Sequence, residues 1–263
     1  MGTKKMEKLS IVKIGGNIIE NEQALQKFLS YFAAMEHLKI LVHGGGKKAD
    51  QVLKKMGLKP KMVNGRRITD AESLSVAIMV YGGLTNKTIV SKLQQFGCDA
   101  IGMSGADANT IKAHKRPVAE IDYGFAGDVE AVDAKKVSAI LNIGLTPVFC
   151  ALTHDQNGQL LNTNADTIAA EMAIAMSQLF ETTLFYCFEL NGVLADFEDK
   201  SSVIKKIDSY SYQKLIDDGI IAEGMLPKMQ NCFHALEHGV NEVRIGNLAL
   251  FEKESTNYTT LVL

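Results

Sequence analysis

Two lysines, an aspartate and three glycine-rich turns carry the chemistry that this sequence could perform. Lys13-Ile14-Gly15-Gly16-Asn17 closes an apolar run. Adjacent glycines let backbone N–H groups approach a ligand closely, as an anion requires, and the lysine can set its ammonium on the same anion. On its own the motif is more simply an ordinary turn with a solvated lysine. His43-Gly44-Gly45-Gly46 follows a second apolar run and opens a helical pattern, where free N–H groups and the positive dipole end favour negative charge. Three successive glycines are costly in backbone entropy, which weighs against a purely structural loop. Gly102-Met103-Ser104-Gly105-Ala106-Asp107 is a third turn after an apolar run. Ligands of open parallel sheets sit beyond the strand ends, so three such turns together point to a phosphate or carboxylate.

Asn162-Thr163-Asn164-Ala165-Asp166 precedes the apolar pattern TIAAEMAIAM. Asn164 reads as an N-cap, and Asp166 suits the first turn of a helix. Capping does not explain Asn162 and Asp166 together. Near two lysines, Asp166 would fix their ammonium groups. The second lysine, Lys228, ends Gly224-Met225-Leu226-Pro227-Lys228, where Pro227 marks a first helical turn. A cation there is disfavoured by the dipole unless an anion joins it. Arg66 and Arg67 could clamp a carboxylate, or could lie on a solvated hairpin edge.

Other chemistries find little support. The Walker pattern fails at Leu41, where it needs Gly, and at Lys48, where it needs Ser or Thr. Gly44, Gly46 and Ala49 match GxGxxA, but no strand ending in an acidic residue follows. His234 and His238 lack a third ligand and read as a solvated helix face. Cys98, Cys150, Cys187 and Cys232 have no CxxC spacing and read as small buried hydrophobes, so no protein-held metal and no disulfide framework are expected. GMSGA is not the GxSxG of a serine nucleophile.

Positioning these groups takes an α/β chain. Of 263 residues, 46% are apolar, enough for a sizeable core. The net charge of -2, with no block of like charges, argues against nucleic-acid binding. No apolar run is long enough to span a membrane, and MGTKKMEKL is no secretory leader, so a cytoplasmic protein is expected. LSIVKI, KILVHG, DAIGMS, LTPVFC and TLFYCFEL read as buried strands. Residues 21–35, 46–56, 70–81, 84–96, 133–142, 165–179, 209–218 and 224–238 read as helices. That alternation predicts a mainly parallel sheet covered on both faces. Residues 107–131, NGRRIT (64–69) and NGQLLN (157–162) carry hairpin signals. The best boundary falls after Gln178, giving lobes 1–178 and 179–263.

In order, VKIGGN, LVHGGGKKAD, NGRRITD, GGLTNK, GMSGAD, LNTNADTIAAEMA, GVL and GMLPKM resemble the N-acetyl-L-glutamate kinases of the amino-acid kinase family. The resemblance spans essentially the whole chain. It implies a three-layer α/β/α sandwich, with the acylated amino acid and dimer contacts in the N-terminal lobe and ATP in the C-terminal lobe. The implied reaction moves the γ-phosphoryl of ATP to a side-chain carboxylate. Lys13 and Lys228 would then hold the transferring group, with Asp166 organising both. Gly45, Gly46, Arg67 and Asn162 would serve the substrate. Gly15, Gly16, Glu189, Leu190, Asn191, Gly192, Val193, Leu194, Ile220, Ile221 and Ala222 would serve ATP, its Mg2+ held mainly by the nucleotide.

Several departures from the family's pattern qualify this picture. Glu189 replaces the usual aspartate of a DVxG turn, GADAN replaces GxDG, and NYTTLVL lacks the usual GTxI ending. Only twelve residues precede Lys13, and arginine-inhibited hexameric relatives carry a long helix there, so a homodimer insensitive to arginine is expected. Arg66 stands where the family usually has an apolar residue, which opens N-succinyl-L-glutamate as an alternative substrate. A silent amino-acid or nucleotide sensor on the same fold is the other alternative, disfavoured by the retention of both lysines.

Overall fold

The computed structural model describes residues 6–63, 66–221, 225–252 and 255–263, the side chain of Arg66 excepted. Its central strand is β1 (Lys8–Ile14), buried along most of its length, as a parallel strand covered on both faces must be. Period-two alternation splits the strand between two apolar clusters. Leu9 and Ile11 enter one, Val12 and Ile14 the other. Lys13 falls on the side of Leu9 and Ile11.

β2 (Leu38–His43) pairs with one edge of β1, and β11 (Glu181–Cys187) with the other, both parallel. Beyond β2 lie β8 (Thr146–Cys150) and β5 (Ala100–Met103). Beyond β11 lie β13 (Glu242–Gly246), β14 (Thr259–Leu261) and β12 (Lys206–Ile207). Among the described residues, only β13 and β14 pair antiparallel in this eight-stranded sheet. The sheet runs unbroken past residue 178, because β11 lies along the whole of β1.

Helices cover both faces, giving the expected three layers. α1 (Gly16–Glu20), α2 (Glu22–Ala33) and α5 (Asn86–Gln95) pack on the face of Val12 and Ile14. On the other face lie α3 (Gly46–Lys55), α4 (Ala71–Ala77), α6 (Ala134–Asn142), α7 (Ala165–Ser177) and α9 (Met225–Glu237). α8 (Ser209–Asp217) starts on a capping box between Asp208 and Ser211.

Two stretches differ from the sequence reading. α4 does not stop before α5; a π-helical segment, Ile78–Thr85, joins them into one run. Gly82 and Gly83 widen the helix there instead of breaking it, with Val80, Tyr81 and Thr85 held in the core. β13 and β14 had no clear signal, since Glu242 and Arg244 interrupt the apolar pattern and pair with each other. The expected hairpins do form. β6 (Ile111–Lys115) and β7 (Ala126–Val132) join β9 (Leu152–His154) and β10 (Leu160–Thr163) in a closed four-stranded ring. β3 (Lys61–Val63) and β4 (Arg66–Ile68) make a separate ribbon, with Asn64 and Gly65 outside the described residues.

Candidate active site

β1 is where the strand order turns, with β2 on one side and β11 on the other, so the crevice beyond its C-terminal end is the natural ligand position. Lys13 stands at that end, on the face covered by α7. Its ammonium lies 2.7 Å from Oδ1 of Asp166, in the first turn of α7. Lys228, in the first turn of α9, lies 3.2 Å from Oδ2 of the same carboxylate. Asn164 caps α7 by accepting from the amides of Asp166 and Thr167, which fixes the turn that carries the aspartate. Below them Tyr186 of β11 donates to the Asp166 carbonyl at 2.9 Å, and its ring underlies Lys228 at 5.4 Å.

Burial alone would raise the Asp166 carboxyl. The ammonium groups of Lys13 and Lys228 outweigh it and hold the group down to about 2. The result is a carboxylate ionised at any physiological pH, clamped between two cations.

A cavity of about 220 Å³ borders the turn that carries Asp166, with Asn164 and Ala165 in its wall. Gly44, Gly45, Gly46, Arg67 and Asn162 line it, so all four predicted substrate residues come together. Arg67 is ion-paired to Asp50 of α3, and its Nη2 donates to the Gly46 carbonyl at 3.3 Å. Burial opposes its charge, while the bonded Asp50 restores it and leaves the guanidinium above its ordinary value. The side chain of Asn162 donates to Thr69 at 3.0 Å. A Cβ on Gly45 would lie 2.5 Å from the ring of buried Tyr81, so no other residue fits that bend without displacing the ring.

The nucleotide residues predicted from the sequence divide. Leu190, Gly192, Val193, Leu194 and Ile220 line a second cavity, of about 830 Å³, that also takes in Met225 of α9. Glu189 and Asn191 line a third, beside Asn17. Ile221 is buried and lines neither, and Ala222 lies outside the described residues. The Gly15 amide is already committed, donating to the Cys187 carbonyl at 2.8 Å. Gly16 begins α1, and the side chain of Lys47 passes close to it. Lys47 donates to Asn17, which donates in turn to Glu189.

The third glycine turn does not join the site. It follows β5, an edge strand two places from β2, and its donors are spent locally. Ser104 bonds Asp107 through both N–H and hydroxyl, and the Gly105 amide bonds Leu152. The sequence reading also passed over several residues that matter. Tyr81, Asp50 and Arg116 border or brace the first cavity; Asp50 closes the motif LVHGGGKKAD without drawing notice, and Tyr81 and Arg116 lie in no motif.

In the sequence His43 stands out only as the residue ahead of the glycines. Period two turns it towards α5, where it is fully buried. Its Nε2 lies 3.0 Å from the Nδ2 of Asn86, which must donate, and its Nδ1 lies 2.7 Å from the Gly44 carbonyl. Burial pushes the imidazole down to about 4, so it stays neutral. Among the described residues, no cluster of three His, Cys, Asp or Glu side chains could hold a metal ion.

A lysine–aspartate–lysine clamp at the switch point of a parallel sheet, next to a cavity lined by glycines, arginine and asparagine, belongs with the phosphoryl-transferring α/β proteins. The chain is a member of the amino acid kinase family, which it matches over residues 8–247. It is 53% identical to an acetylglutamate kinase of Bacteroides fragilis over 93% of this chain and 94% of that protein. With the acetylglutamate kinase of Cytophaga hutchinsonii it shares 54% identity over 91% of each chain. Among solved structures, smu.665 of Streptococcus mutans superposes with a TM-score of 0.80, covering 97% of this chain and 98% of that one at 24% identity. That last likeness concerns the fold alone.

Proposed function

We propose that this protein phosphorylates the side-chain carboxylate of N-acetyl-L-glutamate at the expense of ATP, a step of arginine biosynthesis. The clamp of Lys13, Asp166 and Lys228, beside the cavity that Gly45, Gly46, Arg67 and Asn162 line, carries the reading. The curated relatives named acetylglutamate kinase, similar along more than nine-tenths of the chain, support it.

The first cavity takes the acylated amino acid, with Arg67 and Asn162 on its α-carboxylate and acyl amide. Gly45 and Gly46 offer N–H groups to the reacting carboxylate and the γ-phosphoryl, and Gly16 to the phosphates. Residues 179–263 supply most of the nucleotide side, with adenosine against Leu190, Gly192–Leu194 and Ile220. Mg2+ arriving with ATP would neutralise phosphate charge. Asp166 is not its ligand here, since both carboxylate oxygens face lysines.

The substrate carboxylate is ionised at neutral pH, so attack needs no general base. One of its oxygens forms the new bond to the γ-phosphorus while the bond from that phosphorus to the β,γ-bridging oxygen breaks, and ADP leaves with the electron pair. In a loose transition state, charge spreads over the phosphoryl oxygens, where two ammonium groups stabilise it most. Asp166 holds those ammonium groups in position before ATP binds, so little reorganisation remains at the moment of transfer.

A homodimer is part of the proposal. Met79 and Leu84, 54% and 52% exposed on the π-helical segment, offer an apolar face for a second copy. Light scattering tests it, and a monomer would remove that element. We also assign the protein to the cytoplasm, consistent with the absence of any membrane-spanning helix among the described residues.

Coupled ADP release tests the function directly. Release that requires N-acetyl-L-glutamate is expected. Binding of both ligands without turnover would instead mark a sensor.

A further inference from the structure

Arg67 is not the only guanidinium in the substrate cavity. Arg116, just past the end of β6, lines it as well. Its Nε and Nη2 grip both oxygens of Asp128, at 3.2 and 3.0 Å from Nε, and its guanidinium lies 5.3 Å from the ring centre of Tyr123. An arginine has five N–H donors in a rigid fork. Among the described residues, the Nη1 group of Arg116 makes no hydrogen bond, so two donors of a firmly braced cation remain for a ligand.

Strand register shows where those donors stand relative to the acyl amide. Asn162 of β10 is paired with Ala126 of β7, and the Arg116 amide donates to the Ala126 carbonyl from the next strand. All three residues border the same cavity. Arg116 is therefore two strand spacings from Asn162, on the order of 10 Å between backbones. The floor between them is Ala126 and Gly127, small residues that leave room for a chain. An acetyl group ends at its methyl and has no use for a cation at the far end of that floor. Both carboxylates of the glutamate are already matched, one by Arg67 and the other by the phosphoryl site.

We infer that the cavity accepts, and prefers, an N-acyl-L-glutamate whose acyl chain ends in a carboxylate, with Arg116 as the residue that selects it. A four-carbon dicarboxylic acyl group, succinyl, has the reach. Asp128 keeps Arg116 from being an unpaired cation when the cavity is empty, and the free edge of the fork makes the charge-assisted contact when the ligand enters. The sequence pointed to Arg66 for this task, but the side chain of Arg66 is outside the described residues, and Arg116 carries the inference without it.

This rests on the acylglutamate kinase reading, so the test separates the two. ADP release is measured with N-succinyl- and N-acetyl-L-glutamate as the varied substrates, and the ratio of their kcat/KM values is compared between wild type and Arg116→Leu. The wild-type ratio should favour the succinyl compound, and the substitution should lower it by about tenfold or more, with Arg116→Lys between the two. The wild-type ratio decides even if Arg116→Leu fails to fold. Turnover of the acetyl compound with a ratio below one, or a ratio that Arg116→Leu leaves unchanged, overturns the acyl preference and spares the kinase. Turnover of neither compound removes the kinase reading, and the preference with it.

Discussion

Nε2 of His43 accepts from Nδ2 of Asn86 at 3.0 Å, and this contact fixes which ring nitrogen carries the proton. Asn86 also donates to the Val148 carbonyl at 2.9 Å, and its Oδ1 occupies the space a Cβ on Gly102 would need. The asparagine is therefore held in one orientation. The imidazole must then donate through Nδ1 to the Gly44 carbonyl. A trans peptide points its C=O and the following N–H in opposite directions, so anchoring Gly44 on the core side turns the Gly45 N–H towards the cavity.

Removing that anchor should therefore be felt in catalysis. His43→Leu is expected to lower kcat roughly tenfold or more and to cost about 1–3 kcal/mol of stability by leaving buried groups unpaired. His43→Asn, whose amide N–H comes close to the Nδ1 position, should recover part of kcat. Steady-state kinetics on the two variants decides it; equal losses would reduce His43 to a packing residue.

Lys13→Ala and Lys228→Ala should each lower kcat by at least about 100-fold, the scale of one lost transition-state charge contact. Circular dichroism should show the fold retained. Near wild-type turnover in either variant would exclude the phosphoryl clamp.

Stability should fall with acid in two windows. The folded His43 resists protonation down to about 4 against an ordinary 6.5, so the unfolded chain takes up that proton first as pH drops between them. Asp166 is depressed from 3.8 to about 2. Its contribution, roughly 2 kcal/mol, is complete above the unfolded value and drains away as pH falls towards the folded one. Urea midpoints against pH check this. His43→Asn should flatten the upper window and Asp166→Asn the lower, and unchanged slopes would refute the assignments.

Gly45→Ala should be poorly tolerated, because the new methyl meets the Tyr81 ring at 2.5 Å. A loss of about 1–3 kcal/mol is expected from overpacking, with a fall in kcat as the loop shifts. Adding Tyr81→Leu should restore part of the stability if the ring is the obstacle, and a double variant no better than the single would point elsewhere.

The sequence by itself settled what depends on neighbours along the chain. Alternating strand and helix patterns, the Asn164 cap and the glycines at 15–16 and 44–46 are local signals, and the elements formed nearly where those signals lay. Lys13, Asp166 and Lys228 were legible because a lysine beside glycines, an aspartate in a capped first turn and a lysine at a helix start are each odd locally. Tertiary structure decided which turns converge. β1 and β2 are neighbours and bring their glycines together, whereas β5 lies at the edge and its turn closes on Asp107. It also decided the partners of residues with no unusual local context. His43 meets Asn86 across 43 positions, and Arg116 comes level with Asn162 only through the register of three strands. Such pairings depend on strand order and register, set by burial over the whole molecule, and no short window of sequence contains them.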